Sequence, residues 1–193
     1  MGEHGDFPDN APLQAIFPTI NATGPVPSRQ DLSYSHHVLV DPKNKYILVP
    51  DLGGDRIRVF TKDPISISPI KEIAGLVTEP GVGPRHAVFK TTKKNETFLF
   101  FNGELDQNIY SYRVEYTKSG PKFTKITSIV SVSADYPATK APTSEIAISV
   151  SLRPILLFWL RQSSYLMYRQ QSSVIWTMHV HVIGRSGSHH TIP

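Results

Sequence analysis

The chain has 193 residues, no cysteine and 39% hydrophobic residues, which is enough for one domain with a hydrophobic core. The absence of cysteine excludes a disulfide scaffold and a cysteine-based zinc site. No apolar run approaches the roughly 20 residues of a transmembrane helix, and no hydrophobic signal segment follows Met1. We therefore expect a soluble protein without a membrane partner, and we favour the cytoplasm as its compartment.

The charge is distributed unevenly along the chain. The formal net charge is +4, but all 16 acidic residues lie between Glu3 and Glu145. Four of the 20 Lys and Arg residues follow position 149, so residues 1–149 carry 16 charges of each sign and are neutral. The excess of positive charge belongs to residues 150–193 and does not form a basic face on a folded body. We therefore expect no nucleic-acid partner.

Residues 34–75 contain four short runs rich in Val, Ile, Leu and Phe, which are typical of β-strands. Asp-Pro and Gly-Gly pairs separate these runs and leave no room for a helix between them. The predicted strands are His36–Val40, Lys45–Pro50, Asp55–Thr61 and Ile67–Ile73.

The same pattern recurs at residues 84–132. Pro84–Phe89 matches Ser35–Val40 at an offset of 49, and Phe98–Tyr112 matches Tyr46–Phe60 at an offset of 52. A third start follows at residue 144. Four-stranded units that recur at about 50 residues indicate the blades of a β-propeller. A β-sandwich would explain the number of strands, but it does not predict a repeat.

We therefore predict an all-β fold, a β-propeller fragment of about two to three four-stranded blades. The blades are 34–75, 84–132 and a third that starts at 144. Residues 1–33 would hold an N-terminal segment and the remnant of a preceding blade. Because an open arc of blades exposes its sheet edges, we expect the chain to be a fragment of a larger ring.

Several spaced motifs occur in a fixed order over about residues 20–149. They are GPVPSRQ at 24–30, SHHVLVDP at 35–42, YILVPDLGGDRIRVF at 46–60, GPRHAVF at 83–89 and NGEL at 102–105. These motifs resemble the fungal branch of the lactonase family of seven-bladed β-propellers. That family includes bacterial 6-phosphogluconolactonases and a fungal 3-carboxy-cis,cis-muconate lactonizing enzyme, which is a cycloisomerase. A complete member would have roughly 350 residues at about 50 per blade.

The resemblance ends after Ser149. Residues 150–193 contain four Arg but no Lys and no acidic residue, and they lack the Gly and Asp turns of the preceding blades. We therefore expect an irregular or non-native tail and attribute it to a frameshift or a misjudged intron, which sequencing the transcript across codons 145–160 would test. The histidines of the tail have no carboxylate or cysteine nearby, so we expect no metal and no other cofactor.

Three side chains are candidates for chemistry. In a propeller the innermost strand of each blade lines the central channel. The repeat makes His36 equivalent to Arg85, so both should lie at one mouth of that channel. Glu104 follows the second strand of its blade, at a turn that can bend over the same mouth. By resemblance, all three residues fall on positions proposed as active-site residues of the muconate lactonizing enzyme, whose site also includes an arginine from a later blade.

The three residue types suit a small anionic lactone or carboxylate substrate. Arg85 offers a fork of donors for a carboxylate or an oxyanion. His36 can exchange a proton near neutral pH, and Glu104 could orient that imidazole or act as a base toward water. The same groups could open a sugar-acid lactone or close a muconate lactone, so the sequence does not choose between a hydrolase and a cycloisomerase.

Two other interpretations stay open. The chain could belong to a propeller that serves as a binding scaffold without catalysis, or it could be an inactive truncated fragment. His36 and Arg85 would then be rim residues that form salt bridges. His37 and His86 alternate to the opposite side of the strand, so we expect them to pack or to form hydrogen bonds. The sequence gives no indication of the oligomeric state.

Overall fold

The computed structural model describes residues 24–62, 70–131 and 143–148 in full, and beyond them only the backbone of four further strands. The described residues form strands and turns without a helix, so none of them forms a helix that could cross a membrane. The strands are β1 Leu39–Val40, β2 Tyr46–Asp51, β3 Arg56–Lys62, β4 Ile70–Val77, β5 Pro84–Thr91, β6 Thr97–Gly103, β7 Asn108–Thr117, β8 Gly120–Val130, β9 Thr143–Ile148, β10 Ile155–Leu160, β11 Ser163–Ser172, β12 Ile175–Ile183 and β13 His189–Thr191.

The first eight strands form two separate antiparallel sheets of four strands each. Their strand orders are β1-β2-β3-β4 and β5-β6-β7-β8, so each sheet is a simple meander. A four-stranded meander is the unit of a β-propeller, and the predicted all-β propeller fragment is confirmed. Two strand limits differ from the prediction by more than one residue. The ladder of β1 begins at Leu39 and not at His36, and β4 continues to Val77, while the predicted strand residues 67–69 lie outside the described residues.

The pairing of the strands repeats from one sheet to the next. Residue pairs that join the first three strands of the first sheet have counterparts in the second sheet. As the sequence repeat predicts, residues of the first strand are shifted by 49 positions and residues of the second and third strands by 52. The matching pairs are Ser35–Asp51 with Pro84–Gly103, Leu39–Leu48 with Val88–Phe100, and Leu48–Val59 with Phe100–Ser111. Positions that match in the sequence therefore occupy the same place in each blade.

The first turn of each blade is held by a polar side chain that replaces a backbone acceptor. In the first blade, the buried Asp41 carboxylate accepts hydrogen bonds from the three backbone N–H groups of Lys43, Lys45 and Tyr46. In the second blade, the Thr92 hydroxyl accepts from Lys94 and Glu96. Asx and Ser/Thr turns of this kind fix a short connection between antiparallel strands.

The central strand β6 of the second sheet is covered on both of its faces. Leu99 and Phe101 of β6 face a core that they share with Leu48 and Val59 of the first sheet. Phe100 lies between them in sequence and faces the other side, where it packs against Ile109 and Ile146. Alternate side chains of a strand point to opposite faces, so an uninterrupted apolar strand is typical of a blade between two neighbours.

The third sheet has the strand order β13-β12-β11-β10-β9 and includes the tail. Its first strand, β9, pairs antiparallel with β10, and the remaining strands follow as a meander. Ladder hydrogen bonds join main-chain groups and form with almost any side chains. A regular backbone in these strands is therefore compatible with a non-native sequence, and the frameshift after Ser149 stays a prediction.

Candidate functional site

His36 and Arg85 both lie near the start of the first strand of a blade, where the regular pairing with the second strand is interrupted. Four residue steps separate Ser35 from Leu39, while three separate their partners Asp51 and Leu48. In the second blade, three steps lead from Pro84 to Ala87 and two between their partners. One extra residue at the same place in each blade is a β-bulge, which redirects side chains and is common beside active sites. The bulge explains why the ladder of β1 begins three residues later than predicted.

Glu104 is brought to the beginning of β5 by the turn that follows β6. Its backbone N–H donates to the Gly83 carbonyl at 2.9 Å, and the next N–H, of Leu105, donates to Val82 at 3.3 Å. These two hydrogen bonds hold the turn against the segment that carries Arg85. The Glu104 side chain is 1% exposed. The turn that carries Glu104 therefore packs against the residues that lead into β5.

The Glu104 carboxylate contacts two arginines. Its Oε1 accepts a hydrogen bond from Nη2 of Arg29 at 2.6 Å. Its Oε2 lies 2.6 Å from Nε of Arg85, in an ion pair whose N–H bond is not aligned with the oxygen. Arg85 also donates from Nη1 to the carbonyl of Ser144 at the start of β9. The cluster therefore joins an N-terminal loop, the second blade and the first strand of the third sheet.

Arg29 was not among the residues that the sequence singled out for chemistry. It lies in a loop that the fully buried Gln30 holds together. The Gln30 side chain accepts from the N–H of Val26 at 3.2 Å and donates to the Leu52 carbonyl at 3.0 Å. The only signal in the sequence was the GPVPSRQ motif, which contributed to the family resemblance but pointed to no partner 75 residues away.

The His36 ring shares the electrostatic environment of this cluster. Its pKa is lowered from the ordinary value of 6.5, first by partial burial and then by the positive charge of Arg85, while Glu104 acts in the opposite direction. His86 and Arg29 contribute further to the lowering. The backbone N–H of His36 donates to the Pro50 carbonyl at 3.3 Å. The His36 ring therefore lies within electrostatic range of both the Arg85 guanidinium and the Glu104 carboxylate.

His37 and His86 form a second, neighbouring group with other partners. Nδ1 of His37 accepts a hydrogen bond from the N–H of Ala87 at 3.2 Å. The His37 and His86 rings meet edge to face with their centroids 5.1 Å apart. Nδ1 of His86 lies 3.0 Å from a carboxylate oxygen of Glu145. Both histidines pack and form polar contacts, as the alternation along the strand predicts.

No arrangement of three or more His, Asp or Glu side chains suited to a metal ion occurs within residues 24–62, 70–131 and 143–148. Arg29, Arg85 and Glu104 instead contact one another directly. The site in this part of the chain therefore consists of guanidinium, carboxylate and imidazole groups.

Comparison with known proteins relates the chain to propeller lactonases. The family model described as "Lactonase, 7-bladed beta-propeller" matches residues 9–157. A protein of Arthroderma benhamiae named "Probable 6-phosphogluconolactonase" is 37% identical over 109 residues, which are 55% of this chain and 26% of that protein. The 6-phosphogluconolactonase of Serratia proteamaculans is 30% identical over 117 residues, which are 60% of this chain and 34% of that protein. The chain thus spans about a quarter to a third of these relatives.

Solved structures show a similar fold. The periplasmic gluconolactonase of Pseudomonas aeruginosa matches with a TM-score of 0.60 at 16% identity, over 85% of this chain and 54% of that one. A protein from Lactobacillus plantarum matches with a TM-score of 0.53 at 27% identity, over 89% of this chain and 43% of that one. At 16% identity the first likeness concerns the fold alone.

Proposed function

The chain belongs to the family of seven-bladed β-propeller lactonases, and from this membership we propose that it supplies the His36–Arg85–Glu104 part of a hydrolase site for a small anionic lactone. The observation that carries the proposal is the buried Glu104 carboxylate that contacts both Arg29 and Arg85, close to the His36 imidazole. The names of the two 6-phosphogluconolactonase relatives suggest a phosphorylated sugar lactone as the first substrate to test.

The charge of the cluster suits an anionic substrate. Arg29 and Arg85 supply two positive charges, and Glu104 neutralises one of them. The side chains of Arg29 and Arg85 are 37% and 18% exposed, so both can be reached from solvent, whereas Glu104 cannot. A guanidinium has five N–H donors, and neither arginine uses all five on Glu104. The surplus positive charge and the remaining donors are available to a carboxylate, a phosphate or an oxyanion.

His36 is the group suited to proton transfer. In lactone hydrolysis, water attacks the ester carbonyl and loses a proton while the new C–O bond forms. A neutral imidazole can accept that proton and return it to the ring oxygen when the ester C–O bond breaks. Arg85 can stabilise the oxyanion of the tetrahedral intermediate between these steps. The lowered pKa of His36 keeps the accepting form populated at neutral pH.

Glu104 suits a positioning role better than the role of a base. Each of its oxygens already contacts a guanidinium, and its side chain is 1% exposed, so water has little access to it. A carboxylate in this position fixes the direction of the Arg85 fork toward the substrate. The sequence left both roles of Glu104 open, and the geometry favours orientation of Arg85 over activation of water.

The test is hydrolysis of 6-phosphoglucono-δ-lactone by the purified protein, followed by base uptake at constant pH. We expect Arg85→Lys to lower kcat/KM by about 100-fold, because lysine keeps the charge but not the fork of donors. Arg113→Lys is the matched control, since Arg113 is 52% exposed and pairs with Glu96 at 3.7 Å on a different part of the blade. Equal activity of Arg85→Lys and the unaltered protein would refute the proposal.

The same preparations distinguish the other functions of this fold. A parallel assay with 3-carboxy-cis,cis-muconate tests lactonization, in which a substrate carboxylate adds across a double bond and the adjacent carbon takes a proton. Turnover of the muconate alone would replace the hydrolase by a cycloisomerase. Binding of 6-phosphogluconate without turnover of either substrate would favour a binding scaffold.

A further inference from the structure

Glu104 divides its two oxygens between two arginines of different origin. Oε1 takes the hydrogen bond from Arg29, which precedes the first blade, and Oε2 faces Arg85 of the second blade. One carboxylate neutralises only one of the two cations. Arg85 alone would suffice to balance the charge of Glu104, and Arg29 has no second ion-pair partner among the described residues.

Arg29 is the more accessible of the two guanidinium groups. Its side chain is 37% exposed, against 18% for Arg85, which also uses Nη1 on the Ser144 carbonyl. Among residues 24–62, 70–131 and 143–148, the Arg29 side chain has Glu104 as its one hydrogen-bond and ion-pair partner. Most of its N–H donors are therefore free to bind a group from solvent.

The position of Arg29 is fixed before any ligand arrives. Its backbone N–H donates to the Val26 carbonyl at 2.9 Å, and the next residue, Gln30, is fully buried. The loop also packs on the segment that leads into β5, because a Cβ atom placed on Gly81 would lie 3.0 Å from the Pro25 side chain. Since Arg85 follows only four residues after Gly81, the two arginines are held in a defined relation. A preorganised guanidinium loses less entropy on binding than a mobile one.

We propose that Arg29 is a specificity-determining residue that binds the phosphate group of a phosphorylated sugar lactone, while Arg85 serves the lactone carbonyl. This inference rests on the proposed hydrolase function and names its substrate class. A phosphate monoester matches the planar fork of a guanidinium and takes charge-assisted hydrogen bonds from it. An uncharged sugar lactone offers no such group, so Arg29 should distinguish the two substrates without affecting the reacting bond.

The experiment compares 6-phosphoglucono-δ-lactone with unphosphorylated glucono-δ-lactone in the full chain. For Arg29→Gln we expect KM to rise about 10- to 100-fold on the phosphorylated substrate, with kcat within about twofold. KM for the unphosphorylated lactone should stay unchanged. Arg113→Gln is the matched control and should alter neither. An equal rise in KM for both lactones, or no rise in KM for either, would overturn the inference.

Folding is checked by the thermal midpoint of each variant. If Arg29→Gln does not fold, Arg29→Lys replaces it, because lysine keeps the charge next to Glu104 but loses the fork. Its KM for the phosphorylated lactone should still rise more than its KM for the unphosphorylated one. Equal KM changes for Arg29→Lys would count against the proposal in the same way.

A binding measurement separates this inference from the proposed function. If the protein turns over neither lactone, the hydrolase proposal fails, but titration with 6-phosphogluconate and with inorganic phosphate still tests Arg29. We expect both ligands to shift the NMR signals of the His36 ring and to bind at least about tenfold more weakly to Arg29→Gln. Equal affinities of the variant and the unaltered protein, or no binding by either, would overturn the role of Arg29.

Discussion

Replacing Glu104 by glutamine tests how far the candidate site depends on one buried carboxylate. The substitution keeps the size of the side chain but removes its negative charge, so Arg29 and Arg85 lose their common partner. The backbone N–H of residue 104 still donates to the Gly83 carbonyl, so the turn after β6 is retained. The experiment therefore isolates the contribution of charge.

The expected cost follows from the burial of the three side chains. Removing one partner from a fully buried ion pair costs about 3–5 kcal/mol, because the remaining charge is left uncompensated. Arg85 is 18% exposed and Arg29 is 37% exposed, so water can partly hydrate both once Glu104 is neutral. We assign about 2 kcal/mol to the Arg85 contact and less than about 1 kcal/mol to the Arg29 contact. The free energy of unfolding should fall by about 2–3 kcal/mol.

The measurement is urea denaturation of Glu104→Gln beside Glu96→Gln. Glu96 is 42% exposed and lies 3.7 Å from the exposed Arg113, so its loss should cost about 0.5 kcal/mol or less. In the double variant Arg29→Gln/Glu104→Gln, the second change should cost less than it does alone, because the two side chains share one contact. If Glu104→Gln lowers the free energy of unfolding no more than Glu96→Gln does, the contacts of Glu104 with the two arginines do not stabilise the fold as argued.

Two further predictions concern the contact between the second and third sheets and the protonation of His36. The side chain of Asn102 is fully buried, accepts from the N–H of His86 at 2.9 Å and donates to the Thr143 carbonyl at 2.7 Å. Asn102→Leu should therefore lower the free energy of unfolding in urea by about 2–4 kcal/mol, and a loss below about 1 kcal/mol would contradict this. The hydrolysis rate should fall toward acid with an inflection below pH 6.5, because partial burial and the charge of Arg85 lower the pKa of His36 and only the neutral ring accepts a proton. An inflection that persists in His36→Asn would assign it to another group.

The blades could be predicted from the sequence because their signals are local. Apolar runs separated by Asp-Pro and Gly-Gly turns specify antiparallel strands, and the repeat specifies that the two units pair alike. The pairs Leu39–Leu48 and Val88–Phe100 confirm that alignment. The same alignment gave the equivalence of His36 and Arg85, which holds in the structure because each follows the first paired residue of its blade.

The remaining features of the site depend on contacts that no local pattern encodes. The bulges after Ser35 and Pro84 each add one residue near the start of a blade and have no separate signature in the sequence, so the predicted first strand was too long. The contact of Arg29 with Glu104 joins residues 75 positions apart, and its geometry depends on how the loop around Gln30 packs. The burial of Glu104 likewise results from packing. This burial is what favours a role for Glu104 in orienting Arg85 over a role in activating water.

The candidate site is built from contacts between successive blades. Arg85 of the second blade donates to the Ser144 carbonyl of β9, and His86 faces Glu145 on the same strand. In the other direction, the His37 ring accepts from the N–H of Ala87 across the boundary between the first and second blades. None of these contacts can form within one isolated sheet, and each orders a residue next to the charged cluster. Closure of the blades against one another and assembly of the site are therefore the same process, so substitutions at these boundaries should affect stability and substrate binding together.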